Sequence, residues 1–260
     1  MSALDRSATY PVKEIVIRER PHWIKMPPAL QQRLRDALSQ PVPRRKMSYQ
    51  EFLDWADEDT LAEWVDGEVV MTSPASRKHQ TIVGFLGRVI GPYVEQRGLR
   101  VVLNAPFQMK LASSGREPDL LFVSSEHLDR LQETFLDGPA DMVVEIVSPE
   151  SMDRDRNKKF CEYEAGGVQE YWLIDPLVQQ AEFYHLDAGG RYRMAFAGRE
   201  GVYHSVVLPG FWLQVEWLWQ DPLPDIEMTV WEILGYESVV RRLAQAVGIE
   251  ELRRLLKGDE

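Results

Sequence analysis

Apolar residues between positions 82 and 94 recur at helical spacing. Ile82, Val83, Leu86, Val89, Ile90, Tyr93 and Val94 share one broad face, and Gly98 is placed to end the helix they predict. Ser73-Pro74 supplies a cap and a first-turn proline for it. Upstream, Ser48 followed three residues later by Glu51 is a capping-box pattern that opens a short helix. Between the two, Glu63 to Met71 places Asp66-Gly67 between short apolar stretches, the strongest short-range signal of a β-hairpin.

The pattern then changes period. Val101–Asn104 and Phe107–Leu111 read as short strands around a proline. Asp119–Val123 and Met142–Val147 are nearly unbroken apolar runs, as expected for strands covered on both faces. A helix from Asp153 to Ala165 follows, closed by Gly166-Gly167. Glu170–Ile174 and Ala181–Leu186 are two more strands, joined through Asp175-Pro176. Residues 191–217 read as a meander, and Ile226–Leu256 as helical with a break near Gly248. A mixed sheet with one long helix before it and another between two strands is an α/β or α+β fold.

The first 46 residues stand apart. They contain a short helical pattern at Leu30–Leu38, bracketed by Pro27-Pro28 and Pro41-Val-Pro43. Three segments are therefore expected: a basic, proline-containing extension over 1–46, an α/β domain over 47–220, and a helical segment over 221–260. Composition fits a globular protein, with 44% hydrophobic and 27% charged residues. The single cysteine, Cys161, excludes an internal disulfide and reads as a small packing residue. No secretory signal pattern and no membrane-length apolar run occur, which points to a cytoplasmic location without membrane contact.

The net charge of −11 runs against a dedicated nucleic-acid binder, which normally presents a basic surface. Residues 1–46 carry ten Lys or Arg against four Asp or Glu, a local +6 that leaves −17 for the rest. That basic arm reads equally well as a phosphate contact and as a solvated extension.

Candidate chemistry lies in two acids at positions core strands avoid. Asp119 opens one apolar strand and Glu145 sits inside the other. A buried carboxylate needs a partner, because its desolvation costs several kcal/mol. That partner is a lysine, an arginine or a divalent cation. Two hard oxygen donors with a backbone carbonyl such as that of Ile146 suit Mg²⁺ or Mn²⁺, while a salt bridge across the sheet is the structural alternative. Lys159 is the third element. On its helix Asp155, Lys159 and Tyr163 are four apart and share a face, whereas Lys158 is rotated about 100° away towards solvent.

Other candidates carry two readings each. Glu63 reads as a further metal contact or as a structural hairpin residue, and His79 as a site residue or a hydrogen-bonded core residue. His22, His127, His185 and His204 show no ligand spacing. Trp212, Trp217 and Trp219 suit either base stacking or core packing.

These motifs, in order, resemble a known family. Glu63-Trp-Val-Asp-Gly-Glu68, Ser73-Pro-Ala with His79, Pro118-Asp119, Glu145-Ile-Val-Ser-Pro149, Asp155-Arg-Asn-Lys-Lys159 with Tyr163, and Gly167–Pro176 resemble the Uma-two group of restriction endonucleases within the PD-(D/E)XK nuclease superfamily. The resemblance spans about residues 48–190. It implies a restriction-endonuclease-like mixed β-sheet core flanked by helices, with the N- and C-terminal helical segments as additions. It also implies Asp119 and Glu145 as metal ligands and Lys159 as the catalytic lysine. The sequence departs from the superfamily at one point: the lysine normally two residues after the acid is replaced by Val147, so Lys159 would act from the helix.

The expected function is a Mg²⁺- or Mn²⁺-dependent endonuclease acting on DNA, with a homodimer suited to cutting both strands. The competing expectation is a binding or assembly module that keeps the nuclease fold with little activity. A glycosidase with paired carboxylates is disfavoured by the lysine and by the lack of an aromatic sugar platform beside the acids.

Overall fold

The computed structural model describes residues 46–56, 60–71, 75–148 and 154–257, all within one compact unit. The Leu30–Leu38 helix, the basic arm, Ser73-Pro74 and Pro149 lie outside the described residues.

The capping box forms as the sequence predicts. Ser48 Oγ accepts from the Glu51 amide, and the Glu51 carboxylate accepts from the Ser48 amide at 2.7 Å, opening helix α1 (Tyr49–Trp55). Strands β1 (Ala62–Val65) and β2 (Glu68–Met71) make the hairpin. Its turn places Asp66 at φ 51° and Gly67 at φ 85°, the two left-handed residues that an Asp-Gly pair provides.

The long helix α2 spans Arg77–Arg97, and its cap is Ser76, whose side chain accepts from the His79 amide. That corrects the assignment of the cap to Ser73. Ser76 lies three residues before an amide that has no partner within the helix, the position a capping oxygen needs. Gly98 closes the helix in the left-handed conformation.

Six strands form the main sheet: β3 (Arg100–Asn104), β6 (Leu120–Ser124), β8 (Met142–Ile146), β9 (Glu170–Asp175), β10 (Gln180–Leu186) and β11 (Tyr192–Gly198). Their order is β11-β10-β9-β8-β6-β3, antiparallel except for the central β8–β9 pair. A second sheet, ordered β2-β1-β5-β4-β7, adds β4 (Gln108–Lys110), β5 (Ser114–Arg116) and β7 (Phe135–Asp137). Strands β12 (Val202–His204) and β13 (Trp212–Gln214) pair by themselves. Strands β5 and β7 have no clear signature in the sequence. Each is three residues long, too short to establish a period.

The crossover helix begins differently from expectation. Arg154–Lys159 is π-helical and only Phe160–Gly166 (α3) is α-helical. Cys161 is exposed on it, not packed. The C-terminal region is three helices, α4 (Ile226–Leu234), α5 (Tyr236–Val247) and α6 (Ile249–Lys257). It breaks at Gly235 as well as at Gly248, both at positive φ. Among the described residues no helix is long and apolar enough to cross a membrane.

Alternation along the strands divides the core. Leu120, Phe122, Met142, Val144, Ile146, Trp172 and Ile174 face α2 and α4. Leu121, Val123, Val143, Val147, Tyr171 and Leu173 face Tyr163 of α3 and Met109 of the second sheet. Glu145 has the parity of Val143 and Val147, so it points to the α3 side. Each fully buried aliphatic or aromatic side chain contributes about 1.5–3 kcal/mol, enough for such a core to tolerate a few buried charges.

Gly115 shows how tightly the second sheet packs. A Cβ there would meet the Tyr49 ring and lie 2.9 Å from Gln108 Oε1. Gly115→Ala is expected to destabilise the protein by about 1–3 kcal/mol, read as a lower urea midpoint with an unchanged slope.

Candidate active site

Four elements bring charged side chains to one end of the sheet. Strand β8 supplies Glu145, and its neighbour β6 starts directly after Asp119, with Leu120 paired to Val144. The crossover supplies Lys159, Glu162 and Tyr163, which lie at i, i+3 and i+4 and so turn to the same side. The hairpin supplies Glu63. Continuing the register Trp64↔Gly115 by one residue places Glu63 opposite Arg116 of β5.

Lys159 Nζ lies 2.8 Å from Glu145 Oε1 and 3.3 Å from Glu63 Oε1. Tyr163 Oη donates to the same Glu145 oxygen at 2.6 Å. All four residues are buried. Burial, joined by the fields of Glu145 and Glu63, raises the Tyr163 phenol well above its ordinary pKa. Tyr163 therefore remains a donor throughout the neutral range. Lys158 is exposed, as its position one step round the helix requires.

Arg116 is almost wholly buried and ties the acids together. Its Nε and Nη2 donate to the two oxygens of Glu162 at 2.7 and 2.6 Å, and Nη1 donates to Glu63 Oε2 at 2.9 Å. Burial opposes its charge, but the bond to Glu162 and the fields of Glu63 and Glu162 outweigh that and hold its pKa above the ordinary value. Glu63 Oε1 also accepts from the Glu117 amide at 3.2 Å. Burial raises the Glu117 carboxyl, and nearby Glu63 adds to the shift, against a bond from Gln108 and the charge of Lys159.

Asp119 is held separately. Its Oδ2 accepts from the Ile146 amide at 2.7 Å and lies 3.1 Å from His79 Nε2. The side chain keeps 16% exposure, so solvent reaches it, as it does Glu162 at 21%. His79 Nδ1 is buried with no protein partner. His79 thus belongs to the group around Asp119 rather than to the apolar core, while Trp217 is core and Trp212 and Trp219 pack partly against it.

The residues selected from the sequence thus fall into two groups: Glu63, Glu145 and Lys159 around one buried ion pair, and Asp119, His79 and the Ile146 backbone beside it. Sequence reasoning missed Arg116 and Glu162. One signal was available for each: three acids exceed what a single lysine can balance, and Glu162 is one turn from Lys159.

The donor chemistry can be tested against a divalent cation. Glu63, Glu117, Asp119, Glu145 and Glu162 stand against Arg116 and Lys159, an excess of acid that a phosphate diester would meet as repulsion. Among the described residues no three His, Cys, Asp or Glu side chains are grouped to hold a metal. Mg²⁺ does not need such a group, because it binds through one or two carboxylates and keeps several waters. The carboxylates of Asp119 and Glu145 are hard oxygen donors, the ligand type that Mg²⁺ or Mn²⁺ takes.

Comparison with known proteins adds the decisive finding. The model of the Uma2 family, described as "Putative restriction endonuclease", matches residues 49–216. The chain belongs to the Uma2 family. Among solved structures, it is similar to the crystal structure of "a putative nuclease belonging to DUF820" from Anabaena variabilis ATCC 29413. That match has a TM-score of 0.58 at 18% identity and covers 66% of this chain and 97% of the other. No curated protein matches. The Uma2 match ends before α4. The α/β fold is thus a nuclease-like one, in keeping with the PD-(D/E)XK-like superfamily.

Proposed function

We propose that this Uma2 protein is a metal-dependent endonuclease that hydrolyses phosphodiester bonds in DNA. The observation that carries the reading is the buried Glu145–Lys159 pair beside Asp119, at one sheet end, in a chain of this family. Asp119 and Glu145, with the Ile146 carbonyl, would hold Mg²⁺ or Mn²⁺, which when bound supplies a nucleophilic water near neutral pH and relieves charge on the phosphate.

The protein's own residues have distinct tasks. The Ile146 amide and His79 fix one oxygen of Asp119 and thereby orient the other. Tyr163 and Lys159 fix Oε1 of Glu145 in the same way. Lys159, next to two carboxylates, stays a charged donor and balances negative charge developing on the phosphate; it is not a general base. Arg116 holds Glu63, and Glu63 in turn holds Lys159. A homodimer would bring two such centres to the two strands of a duplex.

A second reading is favoured by one observation, the acidic body with −17 outside residues 1–46. On that reading the chain is a nucleic-acid-binding or assembly module with the nuclease fold. The test incubates pure protein with supercoiled plasmid, single-stranded DNA and RNA, with Mg²⁺, Mn²⁺ or EDTA. Nicked or linear plasmid with either metal and none with EDTA is the expected result. DNA binding without cleavage under every condition selects the module. Cleavage of RNA alone corrects the substrate.

A further inference from the structure

The buried and half-buried cations around the site spend their charge on carboxylates. Arg116 bonds Glu63 and Glu162, and Lys159 lies between Glu63 and Glu145. Arg156, on the π-helical turn, donates to Glu182 at 2.6 Å and to Asp175 at 3.1 Å. Lys78 differs. It is the second residue of α2, it is exposed, and its Nζ donates to the Pro176 carbonyl at 2.7 Å. Among the described residues that neutral oxygen is its one bonding partner. Its position is therefore fixed while its charge is unspent, and two of its three N–H donors remain for another acceptor. Arg77 and Lys158 are exposed too, but among the described residues no bond holds either side chain in place.

That anchor sets the charge beside the site. Pro176 directly follows β9, and Ile174 of β9 pairs with Ile146 of β8. His79, the next residue of α2, reaches Asp119 just before β6, its Nε2 3.1 Å from Oδ2. Two consecutive residues of one helix thus reach the strands on either side of β8, since the sheet order is β9-β8-β6. Strands lie about 4.8 Å apart, so these two anchors are on the order of 10 Å apart across the strand end that carries Glu145 and Ile146.

We propose that Lys78 is a substrate-binding residue that donates to a backbone phosphate next to the one that is cut. The inference rests on the reading of the site as one for a phosphodiester strand. Five acids against Arg116 and Lys159 repel such a strand, so a cation that those acids do not consume is needed at the rim. A lysine suits the task, because its compact charge carries donors that can turn towards a phosphate oxygen. The bond to Pro176 already holds the long stem, so less side-chain freedom is lost when the phosphate arrives. The contact positions the strand without reading its bases.

The test measures binding apart from cleavage, on the full chain. Fluorescein-labelled DNA duplexes of two unrelated sequences are titrated by anisotropy in EDTA and in Ca²⁺, with KCl between about 50 and 200 mM. The variants are Lys78→Gln, Lys78→Arg and Arg97→Gln. Arg97 is exposed at the far end of α2, about 28 Å from Lys78, and controls for the loss of a charge as such. Lys78→Gln is expected to bind both sequences about five- to tenfold more weakly near 0.1 M salt. Its slope of log affinity against log salt should be shallower by about 0.7–0.9, the signature of one lost phosphate contact. Lys78→Arg and Arg97→Gln should keep the wild-type slope. Lys78 is exposed, so the melting transition of Lys78→Gln should stay that of the wild type. An unchanged slope in Lys78→Gln, beside a wild type that binds, overturns this inference alone. So does a loss of equal size in Lys78→Arg or Arg97→Gln. A wild type that binds neither duplex under either condition overturns the nucleic-acid reading of the site, and this inference with it.

Discussion

Glu145→Gln is expected to reduce metal-dependent DNA cleavage by about 10³-fold while the protein stays folded. The substitution keeps the shape of the side chain and an oxygen that can accept from Lys159 and Tyr163. It removes the negative charge, and with it one of the two carboxylates proposed to hold the cation. Loss of one preorganised electrostatic group at a reacting centre costs about 10²–10³ in rate, and loss of a metal ligand costs at least as much. Folding is buffered because Lys159 retains Glu63 at 3.3 Å, so the charge is not left alone. The check is plasmid nicking at saturating Mg²⁺ alongside a urea melt. Activity within tenfold of wild type would remove Glu145 from the centre. Lost activity with a stability loss above about 3 kcal/mol would be a folding effect instead, since breaking a buried pair costs that much.

The second large effect is on stability. Arg116→Ala is expected to cost about 3–5 kcal/mol, a large share of the about 5–15 kcal/mol that folding provides in total. The guanidinium donates to carboxylates from Nε, Nη1 and Nη2, with two of these bonds to Glu162 and one to Glu63. Truncation leaves Glu63 buried with Lys159 and the Glu117 amide as its named partners. Glu162 is a fifth exposed and rehydrates, so the main penalty falls on Glu63. Arg116→Lys restores a charge but not the fork, and its stability should lie between the other two. Equilibrium urea unfolding measures all three. A cost below about 1 kcal/mol for Arg116→Ala would mean that water already shields these acids.

These predictions rest on residues that differed in how readable they were. Glu145 was legible because a carboxylate inside Met-Val-Val-Glu-Ile-Val violates the rule that buried charges need partners. Lys159 was legible from its spacing to Tyr163. That spacing led to the right side of the segment even though Arg154–Lys159 is π-helical, since both side chains reach Glu145. Glu63 carried two readings from its hairpin and joins the ion-pair group. His79 also carried two, and it pairs with Asp119. Arg116 carried no signal of its own, only the indirect one that the acids outnumber a single lysine. A lone arginine near a turn resembles any surface arginine, and only the pairing of β1 with β5 sets it against Glu63.

The sequence by itself determined the elements with a strong period or a committed turn: the long helix ending at Gly98, the Asp66-Gly67 hairpin, the apolar strands around Glu145 and the helical C-terminus. Each is encoded by neighbours within a few residues, through side-chain spacing, caps and the freedom of glycine. It also determined which acids are anomalous, because the cost of burying a charge can be read wherever an apolar run surrounds it. The tertiary structure alone decided how the charges are shared, with Lys159 between two glutamates, Arg116 across three elements, and Asp119 apart with His79 and the Ile146 amide. It also decided the short strands β5 and β7 and the bond that ties Lys78 to the turn after β9. Those depend on pairings between segments tens of residues apart, and such contacts leave no period in the chain that makes them.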